Sequence, residues 1–146
     1  MSPYSHILLA TDFSEETDAV VERAQAMAHA NQCLLSLIHV IEPISIAYGG
    51  EFPFDLSDLH KEVEKQGNTR LNELAEKLDI PKERCYLEIG LTEKEILRTA
   101  SENSADLIVV GSHSKHGLSL LLGSTANAIL HHAECDVLAV RVRKPK

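Results

Sequence analysis

Five short apolar runs alternate with segments of helical periodicity, and this alternation restricts the fold more than any other feature of the chain. The apolar runs cover residues 7–10, 33–40, 85–89, 106–110 and 137–140, and a helical pattern follows each of the first four. Short, almost continuously apolar strands joined by helices are typical of a parallel sheet with helices on both faces. The sequence therefore predicts one α/β domain over residues 1–146, built on a five-stranded parallel sheet.

Two of the helices begin at patterns that are typical of capped helix starts. Ser14 precedes Glu15 and Glu16, and Thr92 stands three residues before Glu95. A Ser or Thr side chain at the first position accepts a hydrogen bond from a free backbone N–H, and a Glu three residues later completes a capping box. We therefore expect Ser14 and Thr92 to cap their helices.

Gly67 lies on the apolar side of the second helical pattern, between Leu59 and Leu78. A glycine in a helix interior costs about 1 kcal/mol relative to alanine. This cost applies unless close packing against another part of the chain requires the glycine.

The composition excludes several classes of function. The net charge is −8, which disfavours non-specific binding to nucleic acid. No apolar run is long enough to span a membrane, and the N-terminus lacks the basic and apolar segments of a secretory signal. The sequence thus predicts a cytoplasmic protein that binds neither nucleic acid nor membranes.

The cysteines and histidines do not form a metal-binding pattern. Cys33, Cys85 and Cys135 are too few and too scattered for a disulfide framework or a paired-cysteine metal site, so we predict reduced cysteines that line the core. His131 and His132 are adjacent, and neighbours on a helix point in different directions. We therefore expect no metal site formed by the protein alone.

The stretch 105–127 has the order of a phosphate site in an α/β protein. It contains a buried strand, a loop rich in Gly, Ser and Lys that begins at Gly111, and a helix that opens on Gly123 and Ser124. Glycine lets the backbone approach a ligand closely, and free N–H groups at a helix start attract anions. The alternative is a plain strand-to-helix connection, and the clustered Gly, Ser and Lys favour anion binding.

Asp12 follows the first strand directly. Ligands of open parallel sheets bind outside the carboxyl ends of the strands, where a carboxylate can accept hydrogen bonds from ribose or hold a phosphate-bound Mg²⁺. Asp is also common in turns before helices. Both interpretations of Asp12 remain open from the sequence.

Four segments together resemble the universal stress protein family over essentially the whole chain. They are ILLATDFS at residues 7–14, LIHV at 37–40, ADLIVVGSH at 105–113 and LGST at 122–125. The resemblance implies a cytoplasmic, usually homodimeric, Rossmann-like domain of three α/β/α layers with strand order 3-2-1-4-5. It also implies that some members bind ATP between the ends of the first and fourth strands.

The same resemblance assigns roles to residues of this chain. Asp12 would meet the ribose and metal region, and Val40 would offer its backbone to adenine. Gly111, Gly123 and Ser124 would hold the phosphates. The candidate nucleotide-binding residues are Ala10, Asp12, Val40, Gly111, Ser112, Ser114, Lys115, Gly123, Ser124 and Thr125.

The chain departs from the pattern of the ATP-binding members in three places. Ser114 stands where the second glycine is expected, and the loop from Ser114 to Gly123 is one residue short. Asp136 stands where those members more often have proline, and it resembles the branch that is not regarded as nucleotide-binding. Two hypotheses therefore remain: a regulatory module that binds ATP or another adenine nucleotide with Mg²⁺, and a nucleotide-free homodimer that acts through protein contacts.

An enzymatic function has little support in the sequence. The chain lacks the P-loop pattern and the nucleophile elbow, and His113 and His116 are as well explained as phosphate-binding cations as by catalysis. We therefore expect a protein that is not an enzyme.

The C-terminal strand has the pattern of an exposed sheet edge. Val140 and Val142 alternate with Arg141 and Arg143. An uncovered edge favours pairing with another strand, and the resemblance implies a homodimer through this strand. Protein partners beyond a second copy stay unidentified.

Overall fold

The computed structural model describes residues 3–43, 57–112 and 124–141, which form a five-stranded parallel sheet with helices on both faces. The strands are β1 (His6–Ala10), β2 (Leu34–Ile41), β3 (Cys85–Ile89), β4 (Leu107–Gly111) and β5 (Asp136–Val140). The helices are α1 (Thr17–Asn31), α2 (Ser57–Leu78), α3 (Thr92–Glu102) and α4 (Ser124–His132), and a short 3₁₀ turn, Lys82–Arg84, precedes β3. The strand order β3-β2-β1-β4-β5 confirms the predicted fold.

Alternate residues of the central strands contribute to two separate cores. Ile7 and Leu9 of β1 pack with residues of α1 and α2, whereas Leu8 packs with residues of α3 and α4. Side chains of a strand point to opposite faces in turn, so a strand that is covered on both sides must be apolar throughout. This arrangement explains why the central strands read as continuous apolar runs in the sequence.

Gly67 lies where α2 crosses the end of β2. A Cβ atom at this position would stand 3.1 Å from Ile41 Cδ1 and 3.5 Å from His39 Cδ2. The first distance is shorter than an ordinary contact, so close packing against the end of β2 accounts for a glycine at this position.

Both predicted helix caps are wrong. Helix α1 begins at Thr17, and Ser14 lies in the preceding turn, where its hydroxyl accepts the Glu16 N–H at 3.4 Å and its carbonyl oxygen accepts the Thr17 N–H at 3.1 Å. Helix α3 begins at Thr92 itself, which donates its N–H and its hydroxyl to the carboxylate of Glu42. A side chain that follows β2 thus takes the place of the local capping box.

The three cysteines are free and half-buried at the margins of the two cores, as predicted. Burial raises the pKa of each of these thiols above its ordinary value. A thiol of raised pKa is a poor nucleophile at neutral pH, which fits a packing role for Cys33, Cys85 and Cys135.

Asp106 joins β1 to β4 at the amino end of the sheet. Its carboxylate accepts hydrogen bonds from Ser5 N–H and Ser5 Oγ–H, both at 2.8 Å, and from His6 N–H at 3.0 Å. Desolvation raises the pKa of Asp106, but these hydrogen bonds outweigh it and hold the pKa below its ordinary value. The polar connections at this end leave the opposite, carboxyl end of the sheet for a ligand.

Within the described ranges, no helix has both the length and the apolar character needed to cross a membrane.

Candidate functional site

A cleft of about 270 Å³ opens at the carboxyl ends of β1, β2 and β4. The chain runs outward from β1 through β2 to β3 on one side and from β4 to β5 on the other, so the cleft lies where the strand order reverses. Ligands of open α/β sheets bind at this position. Its walls are formed by Leu9, Ala10, Thr11, Asp12, Ser14, Glu16, Thr17, Val20, Val21, Ile38, His39, Val40, Glu42, Thr92, Ile96, Val110, Gly111, Ser124, Thr125 and Ala126.

Most of the candidate nucleotide-binding residues that lie in the described ranges line this cleft. Six of them line it: Ala10, Asp12, Val40, Gly111, Ser124 and Thr125. Ser112 adjoins Gly111 but does not line the cleft, and Ser114, Lys115 and Gly123 lie outside the described residues.

Asp12 is a turn residue, and its carboxylate also lies at the cleft. Its Oδ1 accepts the backbone N–H of Ser14 at 2.9 Å, which is the hydrogen bond of an Asx turn. The side chain is also exposed on the wall of the cleft. The turn therefore fixes a carboxylate at the end of β1, where it can face a ligand.

Phe13 provides the sharp backbone reversal that follows Asp12. It has a φ of 56°, a left-handed conformation that is uncommon for a bulky residue. Its ring packs against the ring of His39, with centroids 4.6 Å apart, and the Arg70 guanidinium lies 5.9 Å from the ring centre. The reversal thus places Asp12 on the cleft wall and the aromatic ring against α2. The sequence offered no sign of it, because neither glycine nor asparagine occupies the position.

The hydrogen-bond ladder between β1 and β2 ends beside Val40. The last bond runs from Thr11 N–H to the Ile38 carbonyl at 3.0 Å, and the Thr11 carbonyl accepts from His39 Nδ1 at 2.8 Å. The backbone N–H and C=O groups of a strand face the same side at every second residue. The backbone groups of Val40 therefore point in the same direction as those of Ile38, but they lie past the end of β1. The cleft therefore meets the main chain of Val40 as well as its side chain.

Gly111 lines the cleft at the end of β4, and no described residue packs so tightly there that it requires a glycine. Among the described residues, a Cβ atom would meet Val20 Cγ2 alone, at 3.5 Å, which is an ordinary van der Waals contact. The next residue, Ser112, donates its N–H to the Val140 carbonyl at 3.0 Å. Its hydroxyl is buried without a hydrogen-bond partner in the described part of the chain, an arrangement that costs free energy. The end of β4 thus combines open space with an unsatisfied polar group.

Glu42 is a cleft residue that the sequence reasoning missed. Its Oε1 accepts the hydroxyl of Thr92 at 2.8 Å and the Thr92 N–H at 3.3 Å. The two residues are 50 positions apart, so no local pattern predicts their contact. This pair connects the end of β2 to the start of α3 across one wall of the cleft.

The described wall of the cleft is acidic. Asp12, Glu16 and Glu42 line it, and none of its described lining residues is Lys or Arg. In the described part of the chain, no group of three His, Cys, Asp or Glu residues is close enough to hold a metal ion. A Mg²⁺ ion here would therefore need further oxygen ligands from a bound phosphate.

Comparisons with known proteins agree with the fold. The family model described as the universal stress protein family matches residues 3–141. The chain is 42% identical over 142 residues to universal stress protein A homolog 1 of Coxiella burnetii, covering 97% of this chain and 99% of that protein.

Two solved structures extend the comparison to three dimensions. The structure of the protein MJ0577 matches with a TM-score of 0.80 and 24% identity, covering 97% of this chain and 99% of that one. A universal stress protein solved in complex with cAMP matches with a TM-score of 0.59 and 22% identity, covering 94% and 97% of the two chains.

Proposed function

Because the chain belongs to the universal stress protein family, we propose that it is a small stress-response regulatory module that binds an adenine nucleotide in the cleft at the ends of β1 and β4. The observation that carries the proposal is the open space at Gly111. That glycine borders the cleft, and no described residue contacts it in a way that would exclude a side chain. A glycine that packing does not require is expected where a backbone must approach a ligand.

The cleft has suitable chemistry for the three parts of a nucleotide. Ser124 begins α4 beside Gly111, and the free N–H groups of a helix start favour phosphate. Asp12 offers a carboxylate to ribose hydroxyls, and Val40 offers main-chain groups to the base. Adjacent strands lie about 4.8 Å apart, so the ends of β4 and β2, with β1 between them, are about 10 Å apart. This spacing suits a phosphate at one end and a base at the other.

The complex of a related fold with cAMP supports this choice of ligand by analogy, since cAMP is an adenine nucleotide. We propose ATP, or another adenine nucleotide, with Mg²⁺ accompanying the more highly charged ligands. Asp12 would then contact the ion together with the ligand's phosphates.

One of the three departures from the family pattern lies far from the cleft. Asp136 begins β5 at the amino end of the sheet, and its Oδ2 accepts the hydroxyl of Tyr4 at 2.8 Å. The cleft lies at the carboxyl end. Asp136 therefore has a local structural role and does not argue against nucleotide binding.

We propose binding without turnover in the cytoplasm. His39 is the imidazole on the described cleft wall, where its Nδ1 donates to the Thr11 carbonyl and its ring packs against Phe13. The described lining residues include no Lys or Arg that would stabilise the charge of a phosphoryl group in transfer.

We also propose a homodimer through the C-terminal strand. In the described chain, β5 pairs with β4 and is the last strand in the sheet order. An edge strand of this kind can pair with a second copy across a two-fold axis. This proposal is compatible with nucleotide binding and with the nucleotide-free alternative.

Calorimetric titration with Mg·ATP and with AMP tests the proposed ligand. We expect micromolar to near-millimolar affinity, a loss of at least tenfold for Asp12→Asn, and no change for the control Asp18→Asn, because Asp18 is exposed on α1 and does not line the cleft. No heat with either nucleotide at near-millimolar concentration would favour the nucleotide-free homodimer, the reading to which Ser114 and the shortened loop point.

A further inference from the structure

We propose that Glu42 determines which base the cleft accepts, with one carboxylate oxygen held by Thr92 and the other accepting a hydrogen bond from the exocyclic amino group of adenine. This inference rests on the proposed nucleotide-binding function and adds the residue that selects the base. Glu42 lines the cleft at the end of β2.

The carboxylate of Glu42 is fixed before any ligand binds. Both donors of Thr92, the hydroxyl at 2.8 Å and the backbone N–H at 3.3 Å, bond to the same atom, Oε1. Thr92 is the first residue of α3, and the free N–H groups at a helix start stabilise a negative charge. A side chain held in this way loses little conformational freedom when it contacts a ligand.

The second oxygen of Glu42 remains for a ligand. Among the described residues, the hydrogen bonds and ion pairs of Glu42 involve Oε1 alone. Glu42 follows β2 directly, and both Val40 and Glu42 line the cleft. Oε2 is therefore an acceptor on the part of the cleft wall that Val40 also lines.

The position and charge of Glu42 fit the base rather than the phosphate. The helix start at Ser124 and the open Gly111 lie at the end of β4, two strands away from β2. A carboxylate repels a phosphate group. It can only accept hydrogen bonds, so its suitable partner is a donor such as an amino group. Adenine has an amino group at position 6, but hypoxanthine has a carbonyl oxygen there, which would face Oε2 with two acceptors and no proton between them. The unpaired acceptor makes hypoxanthine binding weaker.

The competing role for Glu42 is a helix cap without ligand contact, and the variant Glu42→Gln separates the two roles. Glutamine retains a carbonyl oxygen that can accept from Thr92, but it presents an NH₂ donor where Oε2 stood. If Glu42 is only a helix cap, its function therefore survives the change. If Glu42 contacts the base, the change replaces a hydrogen-bond acceptor with a donor at that contact. Glu93→Gln is the matched control, because Glu93 is the next residue on α3 and does not line the cleft.

The experiment is calorimetric titration of the full chain with AMP, inosine monophosphate and purine riboside monophosphate, which lacks the 6-amino group. We expect the wild-type protein and Glu93→Gln to bind AMP at least tenfold more tightly than either analogue. For Glu42→Gln we expect the ratio of AMP to inosine monophosphate affinity to fall at least tenfold. Thr92→Val removes the hydroxyl that holds the Glu42 carboxylate but keeps the charge of that carboxylate. This variant should also lower the ratio of AMP to inosine monophosphate affinity.

Thermal melting of each variant separates a loss of folding from a loss of selectivity. An unchanged ratio in a folded Glu42→Gln protein would show that Glu42 is a cap and would overturn the inference. Equal wild-type affinity for the three nucleotides would overturn it too, yet would leave the nucleotide function intact. No binding of any of them would overturn both.

Discussion

Replacing Gly111 with alanine should weaken nucleotide binding and leave the fold intact. The added methyl group would stand 3.5 Å from Val20 Cγ2, an ordinary contact, and the φ of Gly111 lies outside the left-handed region. Alanine should thus be tolerated, with stability unchanged or raised by about 0.5–1 kcal/mol through the lost flexibility of glycine. The methyl group would nevertheless stand at the cleft, where the proposed ligand brings a phosphate against the backbone. Loss of one hydrogen bond to a charged phosphate costs about 1.5–3 kcal/mol, or roughly ten- to a hundredfold in affinity.

Gly90→Ala is the control for this prediction, because it should have the opposite pattern. Gly90 has a φ of +155°, and a Cβ atom there would lie 3.1 Å from Glu95 Cγ. We expect this variant to lose about 1 kcal/mol or more of stability but to keep its nucleotide affinity. Urea denaturation and titration with Mg·ATP measure the two quantities separately. Unchanged affinity in Gly111→Ala would show that no ligand lies against Gly111, and a large loss of stability would show that the glycine serves packing.

Three further predictions follow from other parts of the molecule. The hydrogen bonds from Ser5 and His6 lower the pKa of Asp106 in the folded state. Their stabilisation of the folded protein is therefore fully present above the ordinary Asp pKa of about 3.9. It is lost as the pH falls through the lower pKa of the folded state. Asp106→Asn should therefore cost about 1 kcal/mol at pH 7 and reduce the acid sensitivity of unfolding, as urea denaturation at pH 7 and pH 3 will measure. Removal of residues 137–146 takes away most of β5, the proposed interface, and should shift sedimentation from dimer to monomer at tens of micromolar, with circular dichroism checking that the shortened chain folds; a persistent dimer would place the interface elsewhere. Changing Ser114 to glycine with one residue inserted after it should strengthen binding of ATP and leave adenosine affinity unchanged in calorimetry, and an equal gain for both ligands would contradict this.

Local sequence patterns were enough to locate the strands and two residues that line the cleft. Each apolar run became a strand because a strand covered on both faces must be apolar, and Asp12 and Gly111 were predicted in the site because each lies at the end of such a strand. The strand order could not be obtained in this way, since apolar runs do not show which strands are neighbours. It came from the family resemblance, and the structure confirms it.

Contacts between distant parts of the chain explain what the sequence did not reveal. Thr92 has the local pattern of a helix cap, but Glu42 supplies the acceptor from 50 residues away. Phe13 adopts a left-handed conformation because the surrounding contacts with His39 and the turn of Asp12 compensate for the strain. In both places tertiary contacts outweigh local preference, and both places border the cleft.

The hydrogen bonds around the cleft explain why the change in the family pattern should affect phosphate more than nucleoside. Asp12 is held by its bond to the Ser14 N–H, the Thr11 carbonyl by His39, and Glu42 by Thr92. These bonds order the ends of β1 and β2 without a ligand, so little freedom is left to lose when ribose and base bind. Ser114 and the missing residue belong instead to the connection between β4 and α4, which is the phosphate side of the proposed site. The two sides are supplied by different strands, so a nucleoside-binding half can persist in this chain while the affinity contributed by phosphate is reduced.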